Sequence, residues 1–340
     1  MLKMRHLLLT ATLTTAAVAA QPTPQYGEEL QGFSWPYPLQ HFSFSSQAQQ
    51  LQMGYMDVAP SGKANGHTVV LMHGKNFCGA TWQQTIAALT KVGYRVIAPD
   101  QIGFCSSTKP TSYQYSFQQL AQNTHALLAQ LNVPKAIIIG HSTGGMLATR
   151  YSLMYPKSVE QLVLVNPIGL EDWKAKGVPW RSVDQWYQRE LKLSAESIKQ
   201  YELKTYYVGK WKPEYDQWVE MLAGLNNGPG KQRVAWNSAL IYDMIFTQPV
   251  WYEFKDLLMP TTLMIGTADT TAIGSDIAPA EVKARIGHYN LLGKEVAGMI
   301  PHAKLISFPG MGHAPQMEDP GAFHQKLIEA LAHPPHKEWF

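Results

Sequence analysis

Cysteine is almost missing from this chain: there are two in 340 residues, Cys78 and Cys105. That excludes a disulfide-dense scaffold, and without paired histidine spacing it argues against a zinc centre. Charge is sparse too. Only 16% of residues are Asp, Glu, Lys or Arg, and 28 basic against 25 acidic residues leave a net of +3. No basic stripe or charged tail stands out, so no nucleic-acid partner is expected. Beyond the N-terminus there is no long apolar run able to span a membrane. A hydrophobic fraction of 45% supplies ample surface for a large buried core, which excludes extensive disorder.

The N-terminus is the exception. Lys3 and Arg5 precede a run of apolar and small residues from Leu7 to Ala20. This has the form of a cleavable signal peptide over residues 1–20, with Val18 and Ala20 at the −3 and −1 positions and Gln21 as the mature N-terminus. Ala17 and Ala19 offer a cleavage point one residue earlier. The run is too short and too rich in threonine for a spanning anchor. Cleavage removes two basic residues and no acidic one, leaving the mature chain near +1. The expectation is an exported protein, periplasmic or secreted, in whose oxidising surroundings Cys78 and Cys105 can pair.

After an irregular lead-in over 21–40, His41–Ser45 and Leu51–Val58 alternate in the manner of an antiparallel pair. Six short, nearly continuous apolar runs follow: Thr68–Met72, Tyr94–Ala98, Ala136–Ile139, Gln161–Val165, Thr261–Ile265 and Lys304–Phe308. Such runs suit strands buried on both faces of a parallel sheet. Helical patterns separate the first four, at Thr81–Val92, Ser116–Leu131 and Gly144–Tyr155; Ser116 and Gln119 stand at capping-box spacing. The alternation predicts an α/β fold, a mostly parallel eight-stranded sheet with helices on both faces. It breaks between β-type runs, where 169–258 reads as helices alone (Ser182–Leu193, Ala195–Tyr207, Glu214–Gly224, Val234–Phe246). The predicted organisation is a core over 21–168 and 259–340 with a helical cap over 169–258. The cap holds Trp173, Trp180, Trp186, Trp211, Trp218, Trp236 and Trp251, most of them expected to be structural and a minority to face substrate.

Chemistry concentrates at four strand exits. Gly140-His141-Ser142-Thr143-Gly144 has the G-x-S-x-G form between a predicted strand and a predicted helix. A serine on so sharp a turn needs small neighbours two residues away, and the helix that follows aims its N-terminus at the hydroxyl. Thr143 N–H is then placed as an oxyanion donor. His73-Gly74-Lys75-Asn76 ends an earlier strand; its Lys75 N–H is the expected second donor, with Asn76 as fallback. His73 reads as a structural hydrogen-bonder and the Lys75 side chain as solvent-facing, with acidic substrates the alternative role. Asp269 and His313 leave the last two strands and complete the order Ser, Asp, His. Asp276 and Asp172 compete with Asp269 but sit farther from a strand exit. His288, His302 and His324 lie in helix or surface contexts. His141 points away from the nucleophile on such a turn; with Asn76 it is counted among the residues near substrate.

On these residues the chain resembles the α/β-hydrolase family, in the branch with a serine nucleophile and a helical cap after the sixth strand, over His41 to about His333. Asp100-Gln101-Ile102-Gly103-Phe104-Cys105-Ser106-Ser107 is similar to that family's D-x-x-G-x-G-x-S loop, with Cys105 at the second glycine. The resemblance places this loop beside the His-Gly turn and so implies a Cys78–Cys105 disulfide, closing a loop of about 26 residues and worth roughly 3 kcal/mol. It implies a Ser142–His313–Asp269 triad and an acyl-enzyme, with no metal or organic cofactor, acting on a small-molecule substrate. Serine at 142 disfavours the family's aspartate-nucleophile dehalogenases and epoxide hydrolases. Carboxylic esters or lactones are the default, with carbon–carbon bond hydrolysis or aminopeptidase action as alternatives; the last needs an amine anchor such as Glu214, Asp216 or Glu220. A non-catalytic binder would show decay in the triad or the turn glycines, and none is present. Gly228-Pro229-Gly230-Lys231 is no phosphate loop, since Gln232 follows the lysine and Leu225 replaces the first glycine.

Overall fold

A computed structural model describes residues 22–335. The signal-peptide segment and its cleavage points fall outside the described residues.

Eight strands form one sheet: β1 (Leu39–Ser46), β2 (Gln49–Val58), β3 (Thr68–Met72), β4 (Arg95–Pro99), β5 (Ala136–His141), β6 (Val159–Val165), β7 (Thr261–Gly266) and β8 (Ala303–Phe308). Their order is β1-β2-β4-β3-β5-β6-β7-β8. Only β2 runs against its neighbours; every other pairing is parallel. The predicted α/β architecture is the one observed. The reason lies in the period-two alternation of a strand whose faces are both covered. Val69 and Leu71 enter one apolar cluster with Ile137, Ile139 and Val163, while Val70 and Met72 enter another with Ile138, Leu162 and Leu164. Helices α1 (Gln83–Lys91), α2 (Phe117–Gln130) and α3 (Thr143–Met154) connect the early strands. The Ser116 hydroxyl caps α2 by accepting from Gln119 N–H at 3.0 Å, but the Gln119 side chain turns to Asn123 instead of closing the box.

Between β6 and β7 come α4 (Val183–Glu190), α5 (Ala195–Thr205), α6 (Asp216–Asn226) and α7 (Lys231–Thr247). Ser182 and Ser194 head α4 and α5 with reciprocal capping boxes. The chain then adds α8 (Ala280–Lys283), α9 (Tyr289–Met299), α10 (Pro315–Glu318) and α11 (Pro320–Ala332). No helix among the described residues is long and apolar enough to cross a membrane.

One packing feature of α5 sets a pH dependence. Glu202 is fully buried and neither carboxyl oxygen has a partner. Burial pushes its carboxyl from 4.5 up to about 8. The folded state therefore holds a proton that the unfolded chain releases, so stability is full below pH 4.5 and is lost as pH rises towards 8. The loss is on the order of 5 kcal/mol across that window. Glu202→Gln is expected to raise Tm at pH 8.5 by about 5–10 °C and to change it little at pH 5. Thermal melts at the two pH values check this; equal shifts at both would show that the carboxyl does not titrate in that window.

Candidate active site

The strand ends converge on Ser142. It sits between β5 and α3 with φ 56° and ψ −121°, a left-handed backbone that costs a non-glycine residue. The turn is held because nothing larger fits around it. A side chain at Gly144 would drive into the Met72 and His73 carbonyls, and one at Gly74 would come within 2.9 Å of the Ser142 Cβ. The His-Gly turn after β3 thus lies against the serine, as the sequence spacing implies.

His313 Nε2 is 2.8 Å from Ser142 Oγ, and its Nδ1 is 2.6 Å from Asp269 Oδ2. An ionised carboxylate only accepts, so Nδ1 carries the proton and Nε2 is free to accept from the hydroxyl. Asp269 is 1% exposed and fully supplied with donors. Asn166 Nδ2 gives Oδ2 a second hydrogen bond at 2.9 Å, and Thr271 gives Oδ1 its N–H at 2.8 Å and hydroxyl at 2.7 Å. Asn166 escaped the sequence reading, although its place directly after β6 was a usable signal. The competing carboxylates are engaged elsewhere: Asp276 pairs with Arg181, and Asp172 with Lys174 and the Tyr252 hydroxyl.

Among the described residues no acceptor takes the Lys75 or Thr143 N–H. The Asn76 N–H is equally without an acceptor among the described residues, so the turn that Gly74 packs against the Ser142 Cβ offers two unpartnered amides beside that of Thr143. His73 is structural. Its Nδ1 donates to Gly74 O at 2.8 Å and its Nε2 accepts from Gln101 N–H at 3.1 Å, while burial holds the ring below the usual histidine range. His141, expected near substrate, is instead 1% exposed: its Nε2 donates to the His313 carbonyl at 2.7 Å and its ring packs on Phe77. It braces the His313 loop.

The loop behind the Lys75 turn is locked. Cys78 and Cys105 are joined as a disulfide. Cys105 keeps a positive φ of 46°, the left-handed backbone that favours glycine. Asp100 accepts from Gly79 N–H at 2.7 Å and Ser106 N–H at 3.0 Å. Buried Lys109 donates to the Cys105 carbonyl at 2.6 Å, and burial pulls its ammonium down to about 8.

Above the triad the helical segment closes in. Asn76 Nδ2 donates to the Tyr206 hydroxyl at 2.9 Å, and the Tyr206 ring lies 4.9 Å from that of His313. Ser142 is left 7% exposed. A cavity of about 270 Å³ reaches Lys75 and Asn76, and another of about 500 Å³ reaches Thr270 and Thr271 beside Asp269. Arg189, Tyr201 and Tyr242 stand in the walls of both. The aromatic wall is Tyr201, Tyr242 and, in the larger cavity, Trp186, which stacks on Tyr242 at 4.3 Å. Lys75 does not face solvent. Its ammonium lies 3.1 Å from Glu190 Oε2 and 4.1 Å from the Tyr242 ring centre, with only 10% of the side chain exposed. Burial opposes its charge, but Glu190 and Tyr242 outweigh that and raise its pKa. The expectation of an exposed lysine fails because Glu190 lies 115 residues away, beyond any local pattern.

A sheet in this order, with serine, acid and histidine at the exits of parallel strands, has the architecture that the sequence resemblance implied. Residues 67–320 match the family model described as alpha/beta hydrolase fold. A probable hydrolytic enzyme from Pseudomonas aeruginosa PAO1, a solved structure, is 63% identical with a TM-score of 0.90, over 91% of this chain and 99% of that one. Lipase 1 of Psychrobacter immobilis is 29% identical over 77% of this chain and 76% of its own length. The AB hydrolase superfamily protein YfhM of Bacillus subtilis is 37% identical, but the match spans only 33% of this chain and 39% of that protein. The chain belongs to the α/β-hydrolase fold family.

Proposed function

We propose that the chain is a serine hydrolase acting on carboxylic esters or lactones through an acyl-enzyme. The observation that carries this reading is the unbroken line from Ser142 Oγ through His313 to Asp269, with the Lys75 and Thr143 amides unpartnered among the described residues. His313 takes the Ser142 proton as the oxygen attacks a carbonyl carbon, and Asp269 holds the ring and offsets the charge of the imidazolium. Lys75 and Thr143 N–H donate to the oxyanion. His313 then protonates the leaving group, and water repeats the sequence on the acyl-enzyme. Relatives named as a lipase and as a probable hydrolytic enzyme support the same reading. An aminopeptidase reading finds less support. The cavities beside the triad carry cations in their walls, whereas Glu214 and Glu220 are exposed and Asp216 is paired with Lys199.

Export belongs to the proposal as well. Its support is the N-terminal segment together with a disulfide, a bond that persists in oxidising compartments. The test of the enzyme reading is a fluorophosphonate probe on the chain from Gln21 onward. Covalent labelling, mapped by peptide mass to Ser142 and absent from Ser142→Ala, is the expected result. Equal labelling of both proteins would end the assignment.

A further inference from the structure

The cleft beside the triad has more cations than carboxylates to neutralise them. Lys75 and Arg189 share Glu190, at 3.1 and 3.3 Å; Arg189 and Arg181 share Asp276, at 3.9 and 2.8 Å. Three cations thus hold two carboxylates. Arg181 lines a neighbouring cavity together with Asp184; in the two cavities beside the triad Lys75 and Arg189 are joined by the exposed Lys192, Lys204 and Lys283, against the carboxylates of Glu190 and Asp276. The chain as a whole is close to charge balance, so the excess is local. Arg189 is its centre. It lines both cavities, and its guanidinium lies 5.4 Å from the Trp186 ring centre and 5.5 Å from that of Tyr242. Those rings displace water from the guanidinium and bring no negative charge. Among the described residues Arg189 is engaged by the Glu190 carboxylate and the Tyr242 hydroxyl, which leaves free part of the five donors a guanidinium offers.

We infer that the site takes substrates carrying a carboxylate on the part remote from the scissile carbonyl, and that Arg189 selects that group. The inference rests on the hydrolase reading above. Lys75 sets the spacing, because it directly follows Gly74, which packs against the Ser142 Cβ, while its ammonium pairs with Glu190 in the wall of the smaller cavity. A carboxylate bound there is about one lysine side chain from the reacting carbon. Half-esters of short dicarboxylic acids have that reach, and a planar guanidinium fork matches their carboxylate.

The test compares mono-4-nitrophenyl glutarate with 4-nitrophenyl 5-methylhexanoate, in which an isopropyl group replaces the carboxylate. The expected kcat/KM ratio favours the glutarate at least tenfold, and the preference shrinks as salt is raised from 20 to 500 mM, since about 10 Å screening at 0.1 M shortens further with salt. Arg189→Gln is expected to cut the ratio about tenfold and Arg189→Glu to reverse it. Salt dependence in the unaltered protein needs no variant, so misfolding of either variant leaves the test intact. Hydrolysis of both esters with a ratio near one, at any salt, overturns the anionic-substrate inference and leaves the hydrolase reading standing. Hydrolysis of neither overturns the hydrolase reading, and this inference with it.

Discussion

Ser142→Ala is expected to lower kcat/KM on an activated ester by about 10⁴–10⁶-fold while the protein stays folded. The size follows from what the change removes. Without Oγ no acyl-enzyme forms, and His313 and Asp269 have nothing to activate. The Lys75 and Thr143 amides remain, so residual turnover above water by the binding and oxyanion groups is retained. Folding is spared because alanine keeps the Cβ that packs beside Gly74 and adds no atom to the turn. The positive φ at 142 costs alanine about what it costs serine. Initial-rate kinetics with circular dichroism on the same preparations separate the two effects. A variant that keeps more than a hundredth of the activity would move the nucleophile elsewhere.

The sheet was legible because strands buried on both faces are written as continuous apolar runs, and Thr68–Met72 matches its strand to the residue. That Ser142, His313 and Asp269 lie together was legible for a related reason. A parallel sheet gathers its strand exits at one edge, so a serine, an aspartate and a histidine each directly after a buried strand converge without any local signal linking them. That rule separated Asp269 from Asp276 and Asp172, whose ion pairs now account for them. The walls of the cleft obeyed no such rule. Lys75, Glu190 and Tyr242 meet through a helical segment whose amphipathic pattern gives helices but not their orientation over the core. Of the tryptophans there, Trp186 lines the larger cavity, and Tyr201, Tyr206 and Tyr242 join it in approaching His313 or the cavities. The helix ending at Glu190 is also shorter than the run to Leu193, since the Ser194 cap starts α5 only a few residues on. After β8 the Asp319-Pro320 start of α11 was a readable cap signal, and Asp319 does accept from Ala322 N–H at 3.0 Å.

Asp269→Asn is the second large effect expected, about 10³–10⁴-fold in kcat with a smaller change in KM. The carboxylate accepts at both oxygens: Oδ2 from His313 and Asn166, Oδ1 from the Thr271 amide and hydroxyl. A carboxamide offers one oxygen and one NH₂ in the same volume. With its oxygen towards His313, the NH₂ faces the Thr271 N–H, which cannot accept. Turned over, the NH₂ faces Asn166 Nδ2 and His313 Nδ1, and the imidazole keeps a hydrogen bond only by shifting its proton to Nε2. That tautomer presents a donor to Ser142 where an acceptor is needed. In either orientation the imidazolium formed during attack has lost the buried charge that offsets it. The same variant should react slowly with the fluorophosphonate probe yet still label at Ser142, because the nucleophile is intact. A loss under tenfold would mean that another carboxylate supports His313. Asp276 and Asp172 would then have to leave Arg181 and Lys174 to do so, and the double variants Asp269→Asn/Asp276→Asn and Asp269→Asn/Asp172→Asn would show which one had moved.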